Sequence, residues 1–174
     1  MKKVIVFLVF LLVIAQLETE AQINKTGYNG YNWGINKSAI KGLKDCMPSY
    51  LDKEMENCSA SDLLFLDKYH FDYLNYRFYK QQFMEVNFDF SRAEMGNIIS
   101  KLTIDFGSPL VKEKKNPESE GFTAYEWIVG DSKILIIDKG THLPIWLNIS
   151  SIKIKNSITS TSELDIEKIL FGEL

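Results

Sequence analysis

Alternating apolar and polar residues along two aromatic-rich segments predict neighbouring strands of a β-sheet. In segments 72–79 and 83–90, apolar side chains occupy every second position over most of the run. Successive side chains of a strand point to opposite faces, so this pattern is typical of an antiparallel pair with one buried and one solvated face. The short run 80–82 suits the turn of a hairpin. The solvated face is expected to carry Asn75, Arg77, Glu85, Asn87 and Asp89.

A helix is predicted to begin after Ser91, where apolar residues follow at helical spacing. Ser91 and Glu94 form a capping box, and Gly107 with the following Pro109 ends the helix. An apolar stripe at spacings of three and four comprises Met95, Ile98, Ile99, Leu102 and Phe106. A shorter helix is predicted from Asn36, which can cap it, and its apolar face comprises Ile40, Leu43 and Met47.

Other segments show weaker strand patterns, and a polar run lies among them. The strand patterns are at 63–69, 122–129, 132–139 and 143–154. The polar run 112–121 is interpreted as a solvated loop or the tip of a hairpin.

The order of these elements predicts an α+β fold of two helix-plus-three-strand antiparallel units in tandem, with the helices packed on one sheet face. The predicted organisation is a signal peptide at 1–21, an N-terminal arm at 22–35, a first α-β-β-β unit at 36–90, a second at 91–155, and a linker with a short C-terminal helix at 156–174.

The first residues are typical of a secretory signal peptide. Two lysines precede an apolar run from Val4 to Ala15, which is shorter than the roughly 20 residues of a membrane-spanning helix. We expect cleavage after Ala21, with an earlier cut after Ala15 and an uncleaved signal anchor as alternatives. The mature chain is therefore expected in the periplasm or outside the cell, without a stable membrane anchor.

Export changes the interpretation of the two cysteines. Cys46 and Cys58 are twelve positions apart, and in an oxidising compartment such a pair favours a disulfide over two free thiols or a catalytic cysteine. The intervening residues, with a proline and many polar side chains, predict an irregular loop stapled by that disulfide.

The charge distribution and the absence of known catalytic motifs in the sequence argue against several classes of function. The formal net charge is −3 with both signs interspersed, whereas a nucleic-acid surface needs a clustered basic face. His70 and His142 lack the neighbours of a zinc motif, and no GxSxG marks a nucleophile elbow. The prediction is a protein that is not an enzyme, with no catalytic residues, no metal and no cofactor.

Aromatic residues are abundant, with eleven Phe, eight Tyr and three Trp. The glycines around Trp33 are not spaced like a phosphate loop. We predict instead an N-terminal arm whose Trp33 tucks under the sheet, with an exposed aromatic strip as the alternative. Tyr73 and Tyr79 are out of phase with the apolar face of their strand, so they and Trp146 are the candidate binding residues.

Several segments in order resemble a known group of proteins. They are Trp33-Gly34 before a short helix, YRFYKQQFMEVNFDF, ISKLTIDFGSP and the later Trp127. This order resembles small exported bacterial domains with tandem α-β-β-β units, of the β-lactamase-inhibitor-protein-like architecture, and is similar to small outer-membrane assembly lipoproteins. The leader ending in Ala-Gln resembles those of Bacteroidota. The resemblance implies a layered α+β fold and a binding role without naming a partner, and the chain lacks the lipid-anchor cysteine of the lipoproteins.

Together these observations predict an exported, non-catalytic binding module for an envelope or secreted macromolecule. The alternative is a carbohydrate-binding accessory protein that uses the exposed aromatics Tyr73, Tyr79 and Trp146.

Overall fold

The computed structural model describes residues 23–50, 52–60, 69, 71, 73–116, 119–140 and 143–158. The predicted signal peptide and C-terminal helix, and most of the predicted strand at 63–69, lie outside these residues.

Strands dominate the described part of the chain. Its helical elements are a single 3₁₀ turn (Lys37–Ala39), helix α1 (Arg92–Phe106) and the short helix α2 (Ile152–Ser157). The strands are β1 (Ile23–Asn24), β2 (Gly27–Tyr28), β3 (Tyr31–Asn32), β4 (Leu43–Pro48), β5 (Met55–Ala60), β6 (Tyr73–Tyr79), β7 (Gln82–Phe90), β8 (Leu110–Asn116), β9 (Ser119–Val129), β10 (Ser132–Asp138) and β11 (Ile145–Ser151).

Eight of these strands form one antiparallel sheet in the order β4-β5-β6-β7-β11-β10-β9-β8, and β1-β2-β3 form a small separate sheet. The prediction of two helix-plus-three-strand units is therefore wrong. Three strands lie on each side of the central β7–β11 pair, and only α1 is a helix of substantial length among the described residues. The pairing of β7 with β11 joins the two halves of the chain into one sheet. Local sequence patterns do not reveal this pairing, because the two strands are far apart along the chain.

Most of the difference between the predicted and the observed elements lies in two segments at the edges of the large sheet. The helix predicted from Asn36 is only the 3₁₀ turn, and the residues after it form edge strand β4, which pairs with β5. In the polar run, interpreted as a solvated loop or a hairpin tip, residues 112–116 lie in β8 and 119–121 in β9, so the hairpin alternative holds but most of the run is strand, with β8 at the opposite edge. Edge strands are partly exposed on both faces, so they lack the alternation of a buried strand and carry polar side chains.

The predicted disulfide is confirmed, but its setting differs from the prediction. Cys46 lies on β4 and is bonded to Cys58 on β5, so the bond joins two paired strands rather than stapling an irregular loop. A bulge interrupts the register between Lys44 and Met47, and Asp45 there has a φ of 45°. The bulge bends β4 locally, and the disulfide holds the bent strand to β5 at this edge of the sheet.

The main core lies on one face of the large sheet, called here the inner face. Helix α1 begins after Ser91, whose Oγ accepts a hydrogen bond from Ala93 N, and it buries Ile98 and Leu102 in this core. Trp127 Nε1 donates to Gly107 O at 2.8 Å, which ties the end of α1 to β9. The inner face carries Tyr76, Phe78, Val86, Phe88, Trp127, Ile134, Ile136, Leu147 and Ile149.

The N-terminal arm packs against the same core through buried Ile23 and Tyr28. Burial raises the pKa of the nearby Tyr76 phenol to about 12, so this side chain stays neutral in the core. Neither described helix is long and apolar enough to cross a bilayer.

Candidate functional site

An open cleft lies where the N-terminal arm meets α2, and we call it the Trp33 cleft. Its volume is about 420 Å³, within the range of small-molecule sites. Its lining combines the apolar surface of one large aromatic ring with several polar side chains, and includes Asn32, Trp33, Gln82, Asp131, Lys153 and Ile154.

The Trp33 ring is held in place by strand β10. Trp33 Nε1 donates to Ser132 Oγ at 2.8 Å, and Ser132 Oγ donates in turn to Asn24 O at 2.6 Å. The ring also packs on Phe83, with centroids 4.8 Å apart. The indole is thus half-buried and oriented before any ligand arrives, in partial agreement with the predicted tucking under the sheet.

Asp131 organises the part of the cleft wall that α2 forms. Its carboxylate accepts hydrogen bonds from Ser151 Oγ at 2.8 Å and from Lys153 N at 2.7 Å, which fixes the start of α2. Its backbone oxygen accepts from Ile152 N, and its backbone N–H donates to Lys25 O, both at 2.8 Å. One turn residue therefore connects β9–β10, the N-terminal arm and α2.

The other face of the sheet, called here the outer face, holds a buried charge network. Glu85 is 1% exposed. Its Oε1 accepts from Arg77 Nη1 at 2.9 Å and from Asn87 Nδ2 at 2.7 Å, and Lys155 Nζ lies 2.9 Å from its Oε2. Asn148 Nδ2 extends the network by donating to Asn87 Oδ1 at 2.9 Å.

Opposing effects set the pKa of the Glu85 carboxyl. Burial alone would raise this pKa, but the positive charges of Lys155 and Arg77, with the hydrogen bonds from Lys155 and Asn87, outweigh burial and hold the pKa well below its ordinary value. Glu85 therefore stays ionised and serves as an acceptor rather than as a proton donor. Because Lys155 belongs to α2, this network also anchors the helix that walls the Trp33 cleft.

The outer face is not the solvated face that its polar residues predict. Glu85, Asn75 and Asn87 are all buried, as are Asn148 and Ser150 on β11. Alternation shows that the two faces differ in polarity, but polar side chains that bond one another can be buried as well as solvated. The sequence signal that was available is the matching set of polar residues on β7 and β11, which pair directly.

The structure brings together two of the three predicted binding residues. Tyr73 and Trp146 are both directly opposite Asp89, on the strands that flank it. Tyr73 is 50% exposed, while Trp146 is half-buried against an apolar cluster of the outer face. Tyr79 lies at the far end of β6, where its hydroxyl donates to Glu54 Oε2 at 2.9 Å.

Other residues considered for chemistry do not assemble in the described part of the chain. His70 and His142 lie outside the described residues. Cys46, Cys58 and Glu56 are close enough to resemble a metal cluster. Both sulfurs are in the disulfide, however, and a metal requires thiolates.

No protein-family model, curated protein or solved structure matches the chain. The resemblance to β-lactamase-inhibitor-protein-like domains stays a prediction.

Proposed function

We propose that this chain is an exported, non-catalytic binding module that holds a small polar ligand, or a small polar group of an envelope or secreted macromolecule, in the Trp33 cleft. The observation that carries the proposal is the fixed orientation of Trp33 by Ser132 at an open cleft that combines this apolar ring with several polar side chains. A site whose aromatic ring is already immobilised loses less conformational entropy when a ligand binds.

The chemistry of the lining supports binding rather than catalysis. Asp131 is the one carboxylate among the described lining residues, and both of its oxygens already accept hydrogen bonds from Ser151 and Lys153. The exposed amide of Gln82 and the exposed side chain of Lys153 supply polar groups at the rim. Their donors and acceptors suit hydroxyl, amide or carboxylate groups of a ligand.

Export is supported by the disulfide, which is compatible with an oxidising, secreted location. The charged and apolar start of the sequence supports a signal peptide with cleavage after Ala21.

A defined set of small polar probes tests the cleft. Glucose, N-acetylglucosamine, glycine, glycylglycine, citrate and adenosine would each be titrated into the mature protein, and the Trp33 indole N–H followed by NMR. At least one probe is expected to shift this signal in a saturable way. Gln82→Ala is expected to weaken the binding of that probe without changing the stability of the protein. Tyr50→Ala is the control, because Tyr50 is fully exposed and does not line the cleft. Absence of a saturable shift with every probe, or equal weakening by both variants, would refute the proposed site.

A further inference from the structure

The outer face of the large sheet carries an apolar cluster that is buried. Ala124, Leu135 and Ile137 form this cluster and are at most 3% exposed, and Trp146 packs against them. The neighbouring Asn148 is 1% exposed. Side chains on a sheet face are kept from water only when another layer of structure covers that face.

The described elements cover only one end of this face. The N-terminal arm and α1 both pack in the inner-face core, and so does Phe71, from the segment before β6. Within the described part of the chain, α2 is the element that reaches the outer face, where Lys155 pairs with Glu85. The apolar cluster on β9 and β10 therefore needs a cover other than these elements.

The chain passes out of the described region beside this face. Strand β11 ends next to Glu85, and α2 then brings Lys155 back over the outer face. Chain that continues in this direction runs toward Trp146, whose pairing partner Asp89 is four positions from Glu85 on β7. Four strand residues span about 13 Å, and about nine helical residues span the same length.

The sequence after α2 suits an apolar sheet face. Residues 159–174 include Ile166, Ile169 and Leu170, which are spaced by three and four and so predict one apolar stripe on a helix, with Lys168 on the opposite side. Ser and Glu at positions 160 and 163 have the spacing of a capping box before this stripe.

The charges of this segment also complement the outer face. Residues 159–174 contain four acidic side chains and one basic side chain. On the outer face, Lys112 and Lys133 lie 3.5 and 3.4 Å from the single carboxylate of Glu126. Two positive charges against one negative charge favour an acidic segment at this face.

We infer that residues 159–174 form an amphipathic helix that covers the apolar cluster of the outer face. Ile166, Ile169 and Leu170 pack on Leu135 and Trp146 in this arrangement. The inference is independent of the Trp33 cleft and of any ligand there, because it rests on the burial of the outer face and the direction of the chain after α2.

NMR of the mature protein, residues 22–174, tests the arrangement directly. Nuclear Overhauser effects are expected between the methyl groups of Ile169 or Leu170 and the ring of Trp146 or the methyl groups of Leu135. A soluble gadolinium chelate is expected to broaden the Trp146 indole N–H signal only weakly. Absence of these Overhauser effects, or strong broadening of the Trp146 signal, would overturn the inference without bearing on the cleft.

A matched pair of variants in the full mature chain tests which side of the helix faces the sheet. Ile169→Ser is expected to raise the broadening of the Trp146 indole signal severalfold, whereas Lys168→Ser should leave it as in the wild type. Circular dichroism and the Trp33 indole signal check that both variants keep the fold. Equal effects of the two variants would contradict the inference.

Two other occupants of the outer face are separated by the same measurements. A face that is shielded only in the precursor with residues 1–21 would be covered by the leader. Overhauser effects that disappear on dilution, together with sedimentation as a dimer, would assign the cover to a second copy of the chain. Either result would overturn the role of residues 159–174.

Discussion

Trp33 and Ser132 are 99 residues apart in the sequence, and the indole N–H of Trp33 donates to Ser132 Oγ at 2.8 Å. This bond joins the N-terminal arm to strand β10. It fixes the ring that dominates the Trp33 cleft, and Ser132 completes the connection by donating to Asn24 O. The cleft therefore depends on a contact between the first and last thirds of the described chain.

Ser132→Ala should destabilise the protein and loosen Trp33. Ser132 is fully buried, so the change leaves the indole N–H and Asn24 O without their partner, at a cost of about 1–3 kcal/mol in the free energy of unfolding. Urea unfolding measures the loss, and NMR measures faster hydrogen exchange of the Trp33 indole. Ser157→Ala is the control, because Ser157 is exposed and donates only to Ile154 O; equal effects of the two variants would contradict this role.

Gly130→Ala should displace the N-terminal arm. Gly130 has a φ of 63°, and a Cβ there would lie 2.7 Å from both Lys25 O and Lys25 Cβ. Backbone strain and overpacking together are expected to lower the free energy of unfolding by about 2–4 kcal/mol. Gly42 has a φ of 79° with open space around it, so Gly42→Ala reports the backbone strain alone. Thermal unfolding of both variants gives the difference, and an equal loss would show that the Lys25 contact is unimportant.

Glu85→Gln should be strongly destabilising at neutral pH. It removes the negative charge that compensates Arg77 and Lys155, which are only partly exposed. Breaking a buried pair costs about 3–5 kcal/mol, and we expect about 2–4 kcal/mol here because both cations retain some contact with water. Asp105→Asn, which removes the exposed ion pair with Lys101 on α1, should cost less than about 0.5 kcal/mol. Similar values for the two variants in urea unfolding would refute the anchoring role of Glu85.

The same carboxylate predicts how stability depends on pH. The pKa of Glu85 is lower in the folded protein than the ordinary value of about 4.3 expected after unfolding. Its stabilising contribution is therefore fully present above the unfolded pKa and is lost as the pH falls below it, where only the unfolded state takes up the proton.

Urea unfolding at pH 7 and at pH 3 measures this contribution. The wild type should lose more stability between these two values than Glu85→Gln. Asp138, whose pKa is lowered by its hydrogen bond from Arg92, contributes equally in both proteins and cancels in the comparison. A loss of the same size in both proteins would show that Glu85 is not the cause.

Reduction of the Cys46–Cys58 disulfide should lower stability without abolishing the fold. The bond closes a segment of twelve residues, for which the chain-entropy model gives about 3 kcal/mol. Thermal unfolding with and without a phosphine reductant measures the change. Because β4 is an edge strand and neither cysteine lines the Trp33 cleft, the Trp33 indole signal should keep its chemical shift, and a large shift would contradict this separation.

Local patterns in the sequence determined the elements whose stability is mainly local. The cap at Ser91, the apolar stripe of α1 and the stop at Gly107 are all found in the structure, as is the β6–β7 hairpin from its alternating residues. Two cysteines, together with the expectation of export, predicted the disulfide correctly. In each case the signal lies within about one helix or one hairpin, where neighbouring residues along the chain decide the conformation.

Tertiary contacts decided the rest. The pairing of β7 with β11 merged the two expected units into one eight-stranded sheet. The same pairing brought Glu85, Asn87 and Asn148 together on the outer face and left the carboxylate buried rather than solvated. The alternation of polar and apolar residues along a strand indicates only that its two faces differ in polarity. Whether a polar face meets water or meets other polar groups depends on which distant strand becomes its neighbour, and that choice is made by the whole chain as it packs.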